Sequence, residues 1–338
     1  SSNEGGGNVR VAVLCGGESS ERDVSRSSGW AVAQALAGRG HDVVLIDPAA
    51  EQPILADPVP AGDSVVPVPK EPPAPADRAV LRRRMYAALT DGLEQLRSAD
   101  KVFIALHGGW GEDGHVQALL ELAGIPFTGA GHDVCAVAWH KGRCQAVLEA
   151  AGIPVPARVL YDPSEQREPP VGVKQLLASG PVVVKPVADG SSVAVRKVDT
   201  LDAVRADGEL IVEPFLGGRE FTVAVIGGTA LPVVEIELTT EVFDYAAKYQ
   251  PGAVREVCPA EIAVDFAEEL QGLAVRAHQA LGFGPTYSRV DFRCDDAGTP
   301  YCLEVNALPG LTRGSLVPVA ATGAGLTYDE LVERLLKA

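Results

Sequence analysis

Arg289 and Asp291 stand two residues apart, and so do Glu304 and Asn306. In an extended chain, residues two apart share a face, so each pair presents its polar groups on one side. Val290, Phe292, Leu303 and Val305 then fall on the opposite, apolar side. A turn across Asp295-Asp296-Ala297-Gly298 would fold these runs into a hairpin whose polar face gathers two carboxylates, an amide oxygen and a guanidinium. Hard oxygen donors of that kind suit Mg²⁺ held together with substrate phosphates. A fixed guanidinium fork beside them suits a developing oxyanion or a phosphoryl group in transfer. A Pro309-Gly310 turn follows directly, then Thr312 and Ser315.

Other chemistry-bearing residues stand at the ends of apolar runs. Lys185 closes the run 181–184 and is followed by Gly190-Ser191-Ser192, a combination that can clamp phosphate with backbone N–H groups, hydroxyls and a point charge. Lys141 lies in a helix expected over 133–150. After a strand at 210–212, Glu213 to Leu216 form a hinge-like segment whose backbone can read an adenine edge, with Glu220 placed for ribose hydroxyls. The polar, aromatic stretch 243–252, with Lys248 and Tyr249, can serve as a lid that keeps water from a reactive intermediate. Near the start, Gly16-Gly17 is followed by Glu21, an acid suited to a substrate ammonium. His107 leads a loop with four glycines.

The elements that must position these groups follow from periodicity. The nearly all-apolar run from Val9 to Leu14, a helix from about Ser27 to Gly38 and a second apolar run 42–46 make a βαβ unit with its ligand site at the carboxyl end of the first strand. The turn reads GGESSER and not GxGxxG, and its acid would repel a pyrophosphate, which argues against a dinucleotide. The Pro-rich stretch 50–77 predicts an irregular excursion. A helix with Leu81, Met85, Leu89, Leu93 and Leu96 on one stripe follows, then a strand 101–106, a helix 116–123 and a strand 126–128. Further on, an antiparallel pair is expected over 221–226 and 231–238, and an amphipathic helix over 261–281.

With 338 residues the chain is too long for one core. Its formal charge of −16 argues against nucleic acid or an anionic membrane as partner, and no apolar run reaches the roughly 18 residues of a membrane span. The opening SSNEGGGNVR reads as a polar tail and not as a signal peptide. Cys15, Cys135, Cys144, Cys258, Cys294 and Cys302 form no CxxC pair and are expected to be reduced and structural, as in the cytosol.

Taken together, GGESSERDVS, LHGGWGEDG, the His140-Lys141 pair, KPVADGSSV, EPFLGGREFTV, DYAAKY, CPAEI, RVDF and LEVNALPGLTRGSLVP occur in an order that resembles the D-alanine–D-alanine ligases of the ATP-grasp superfamily. The likeness runs from about Val9 to the C-terminal helix. It implies an α/β fold, α+β in its C-terminal part: an ATP-grasp fold behind an N-terminal Rossmann-like parallel-sheet domain. The expected division is 1–130, 131–214 and 215–338.

By this resemblance Lys141 and Lys185 hold ATP phosphates, Glu213 and Leu216 the adenine, and Glu220 the ribose. Ser192 and Lys248 are further nucleotide contacts. Asp291, Glu304 and Asn306 match ligands of two Mg²⁺ ions, for which Mn²⁺ can substitute. Glu21 matches the residue on the first amino acid's ammonium, with Ser191 and Tyr249 in a network that closes the lid. Arg289 and the Gly310 N–H match oxyanion stabilisers, and His107, Ser315 and Leu316 substrate contacts. The implied reaction joins two amino acids, foremost D-alanine with D-alanine, through an acyl phosphate, in a cytoplasmic homodimer. Departures at Val187-Ala188-Asp189, Ala194, Trp110, His115 and Arg313-Gly314, and the Pro-rich 50–77, bear on which amino acids are joined. A sister ligase of a natural-product pathway is the alternative.

Overall fold

A computed structural model of the chain describes residues 7–69, 74–92, 96–166, 168–188, 195–201, 204, 208–238 and 254–338. They fall into two compact units, residues 1–132 together with 308–338, and residues 133–307. None of the helices described is long and apolar enough to cross a membrane.

In the first unit, β1 (Arg10–Leu14), β2 (Asp42–Ile46) and β4 (Lys101–Ile104) lie parallel, with β1 in the middle. Val11 to Leu14 are wholly buried, as an all-apolar run in a parallel sheet requires. The excursion 50–77 is not wholly irregular: it contains the short β3 (Ile54–Ala56), which pairs antiparallel with β2. The strand expected at 126–128 reduces to one bridge, Val102 to Phe127.

Met85 and Leu89 from the helix Pro75–Asp91 share one core with Leu14, Ile46, Ile104, Leu120 and Leu308. Leu308 belongs to the segment that returns to this unit after residue 307. That segment ends in the helix Tyr328–Lys337, which starts with a capping box between Thr327 and Glu330 and buries Leu331, Val332, Leu335 and Leu336.

The helix after β1 begins at Arg22, five residues earlier than its apolar pattern indicates, and runs to Gly38. The reason is electrostatic. The Arg22 guanidinium bonds both oxygens of the fully buried Asp47, at 3.0 and 2.6 Å, and the Gly17 carbonyl at 2.6 Å. Asp47 Oδ1 also accepts from the backbone N–H of Gly17 and of Ala49. A side chain at Gly16, where φ is +74°, would collide with the Asp47 carboxylate.

The second unit holds two sheets built from antiparallel pairs. One has the order β5 (Val159–Tyr161), β8 (Leu210–Pro214), β6 (Val182–Pro186), β7 (Arg196–Val198). The other has the order β12 (Val254–Val257), β11 (Val234–Leu238), β9 (Glu220–Ile226), β13 (Tyr287–Cys294), β14 (Pro300–Asn306), with β10 (Thr229–Ala230) beside β9. Leu270, Leu273, Ala274, Ala277 and Leu281 form the buried stripe of the helix Val264–Leu281 that packs on the larger sheet. The helix expected over 133–150 is two, His132–Trp139 and Lys141–Ala150. His140 breaks it by taking an extended conformation and capping the second helix, its Nδ1 accepting from Arg143 N–H at 3.3 Å.

Removing one member of a buried ion pair typically costs about 3–5 kcal/mol, because the partner is left charged and dry. Asp47→Ala is expected to lose about that much in denaturant unfolding, since it strands Arg22 and two backbone donors. A loss under about 1 kcal/mol, the scale of an exposed pair, would show that the helix start does not depend on this contact.

Candidate active site

The hairpin expected from two-residue spacing forms, and its register sets the chemistry. Asp291 pairs with Glu304 and Arg289 with Asn306. Beyond Asp291 the ladder slips: Phe292 pairs with Cys302, leaving Leu303 as the extra residue of a bulge. In consequence Cys302, and not Leu303, joins Val290, Phe292 and Val305 on the buried face, while Leu303 is only half-buried. The slip lies just past the polar set and leaves it intact.

Asp291 is bonded by three neighbouring side chains. Arg289 grips it with Nε at 2.9 Å and Nη2 at 2.7 Å, Asn306 donates Nδ2 at 3.0 Å, and Thr222 donates its hydroxyl at 2.6 Å. Thr222 stands opposite Asp291 across β9 and β13, a place that no spacing within one segment could disclose. Since Nδ2 of Asn306 is turned to Asp291, its carbonyl oxygen is left pointing elsewhere as a donor atom. Two carboxylates and an amide oxygen make a sparse, hard set. That fits Mg²⁺, which binds through one or two carboxylates and fills its octahedron with waters and substrate phosphates. Among the described residues, no group of three or more His, Cys, Asp or Glu side chains is placed to hold a metal by itself.

Two lysines are drawn toward carboxylates in the same unit. Lys141, the first residue of its helix, has its N–H on the Val187 carbonyl at 2.8 Å and its ammonium 3.5 Å from Glu304. Lys185 on β6 meets Glu213 on β8 at 2.8 Å, with Val183 and Glu213 paired across the strands. Both side chains are buried. Burial disfavours the Lys185 ammonium, but the charge and hydrogen bond of Glu213 together with the charge of Glu304 and Cys302 outweigh it, and its pKa is raised. Gln145 completes this group by donating to Glu213 at 2.6 Å and to the Leu303 carbonyl at 3.1 Å. Spacing gave no sign of Gln145, which stands one helical turn beyond Lys141.

Glu220 stands opposite Arg293, whose guanidinium is 3.3 Å from its carboxylate. The same guanidinium lies 5.2 Å from the Phe215 ring centre, and the Lys197 ammonium lies 4.1 Å from it. Phe215 is thus attracted to two cations. Leu216 follows it, half-buried, after the end of β8.

In the first unit, three glutamates surround the turn after β4. Gly108 and Gly109 both have positive φ, and a Cβ at Gly108 would sit 2.8 Å from Glu21 Oε2. Glu18 accepts from Trp110 N–H at 3.1 Å, and Glu112 from Gly108 N–H at 3.1 Å. Ser19 ties the two site loops together, its hydroxyl donating to the His107 carbonyl at 2.5 Å. His107 is buried, with Nδ1 3.0 Å from the Leu308 carbonyl and Nε2 2.9 Å from the Ser28 hydroxyl. Ser315 precedes the helix Leu316–Gly323, and its hydroxyl lies 2.7 Å from that of Thr312. Gly310 comes so close to Ser315 that a Cβ there would be 3.0 Å from its oxygen. Ser191, Ser192, Lys248 and Tyr249, and the lid stretch around the last two, lie outside the described residues.

Glu213→Gln keeps the shape but removes the charge that balances Lys185, and is expected to cost about 3 kcal/mol in denaturant unfolding. Adding Lys185→Met should restore at least half of that loss. No recovery in the double variant would mean the pair is not coupled.

Residues 10–130 match the family model described as D-ala D-ala ligase N-terminus, and residues 147–337 the one described as D-ala D-ala ligase C-terminus. A curated D-alanine–D-alanine ligase of Anaeromyxobacter sp. is 40% identical over 335 residues, covering 97% of this chain and 96% of that protein. Among solved structures, the D-alanine–D-alanine ligase from Bacillus anthracis complexed with ATP superposes with a TM-score of 0.74 at 26% identity, over 97% of this chain and 96% of that one. The VanG D-Ala:D-Ser ligase from Enterococcus faecalis superposes with a TM-score of 0.75 at 28% identity, over 98% and 99%.

Proposed function

Since this chain belongs to the D-alanine–D-alanine ligase family of ATP-dependent ligases, with the ATP-grasp fold, we propose that it joins D-alanine to D-alanine, releasing ADP and phosphate. The observation that carries this reading is the polar face of β13 and β14, where Asp291 stands opposite Glu304 and Arg289 opposite Asn306.

The first amino acid's carboxylate attacks the terminal phosphoryl group of ATP, the bond to ADP breaks, and an acyl phosphate results. The second amine attacks that carbonyl, and the tetrahedral intermediate expels inorganic phosphate as the amine gives up its proton. Lys141 and Lys185 hold the ATP phosphates, Glu213 and Leu216 the adenine, and Glu220 the ribose, with Ser192 and Lys248 as further contacts. Asp291, Glu304 and Asn306 would hold two Mg²⁺ ions, or Mn²⁺ in their place, which supply charge neutralisation on the phosphates.

Glu21 receives the first ammonium, with Ser191 and Tyr249 closing the lid over it. Arg289 and the Gly310 N–H stabilise the oxyanion, and His107, Ser315 and Leu316 serve the amino-acid sites. Positioning and fixed charge supply most of the rate in such a transfer. We read the chain as a cytoplasmic homodimer without nucleic-acid or membrane partners, divided at 1–130, 131–214 and 215–338.

A second reading keeps the chemistry and changes the amino acids, as in a natural-product pathway. It is favoured by the equally good superposition on a D-Ala:D-Ser ligase. Phosphate release with Mg²⁺-ATP and a panel of D- and L-amino acids, with mass spectrometry of products, separates the two. D-alanine alone should yield the dipeptide, and chelation of divalent ions should stop it. Silence with D-alanine would overturn the first reading. Glu304→Gln is expected to lose turnover by about two orders of magnitude or more while nucleotide binding falls far less.

A further inference from the structure

The turn after β14 carries the Gly310 N–H and leads to Ser315. Three side chains from distant parts of the first unit hold its backbone. His107 Nδ1 faces the Leu308 carbonyl at 3.0 Å, an acceptor, so that nitrogen carries the proton. Nε2 is then left as an acceptor for the Ser28 hydroxyl at 2.9 Å. The Ser28 oxygen in turn accepts from the Leu311 N–H at 3.2 Å. On the other side, the Tyr328 hydroxyl donates to the Leu311 carbonyl at 2.6 Å.

Leu311 therefore has both its backbone groups on side chains, one from the helix after β1 and one from the helix Tyr328–Lys337. Leu308, Leu311, Ser28 and His107 are all buried, so these bonds do not compete with water and each unmade one leaves a polar group dry. Tyr328 is itself held. The Arg313 guanidinium lies 4.5 Å from its ring centre and reaches Asp63 at 2.8 Å. Asp63 is largely exposed, so its pairing adds little. The stack on the ring, by contrast, joins Arg313, two residues past the turn, to the residue that pins the turn.

We propose that Ser28, His107 and Tyr328 are positioning residues that fix the Leu308–Leu311 turn, and with it the oxyanion N–H of Gly310 and the Ser315 pocket for the second amino acid. The proposal rests on the ligase reading for its kinetic part. Its structural part stands by itself.

Tyr328→Phe removes one hydroxyl and keeps the ring. It should raise the Michaelis constant of the second amino acid by about ten-fold, with that of ATP changed less than about two-fold. Ser28→Ala should do the same and release the Leu311 amide, whose hydrogen exchange should quicken by about ten-fold while the β1 and β2 amides stay as in the unaltered chain. Tyr328→Phe should likewise speed exchange across the turn. Exchange at Leu311 as slow in both variants as in the unaltered chain, or an equal rise in all Michaelis constants, overturns the proposal. An unaltered chain without ligase turnover would instead overturn the reaction assigned above, and the exchange measurement would still decide the pin.

Discussion

Two carboxylates directly opposite each other on adjacent strands are the constraint that the rest of the second unit answers. Asp291 and Glu304 stand in register, and cross-strand side chains about 5 Å apart repel by roughly 3 kcal/mol at the effective dielectric of a protein surface. The sequence supplies the compensation within reach. Arg289 clamps Asp291 with two bonds, Thr222 and Asn306 add neutral donors, and Lys141 approaches Glu304. The result is a concentrated patch of anionic oxygen that is tolerable without a bound cation and still rich in ligand atoms.

The same logic holds along the neighbouring strands. Lys185 is paired with Glu213, and Arg293 with Glu220. Each of these cations is therefore held by an acid of a neighbouring strand. A chain with a net charge of −16 must bind a polyanion through such local arrangements. The pairs fix where each cation sits, so an anionic ligand meeting them would require few new rotamers.

Much of this was legible in the sequence because a strand has a period of two. The polar set of the hairpin, the parallel strands β1 and β2, and the stripe of the helix Val264–Leu281 all follow from side-chain alternation or helical spacing. What escaped is what depends on partners distant in sequence. The bulge that exchanges Leu303 for Cys302 is a property of two strands together. The break at His140 is invisible to hydrophobicity, since apolar residues continue on either side. Thr222, Gln145 and Ser28 are ordinary polar residues until the register places them beside Asp291, Glu213 and His107. The earlier start of the helix at Arg22 rests on Asp47, a residue of the next loop.

Leu308 completes the core of the first unit, and Leu331 and Leu335 lie buried in the helix that follows. This unit is consequently discontinuous in the chain, with residues 133–307 inserted between its two parts. A ribosome delivers residues 308–338 only after the whole insert has been made. Throughout that time the parallel sheet emerges without part of its cover, while every residue of the contiguous second unit has already been made. Vectorial synthesis thus runs against the numbering here: the middle of the polypeptide can reach its native state before its beginning does, and the exposed early strands wait for the closing segment.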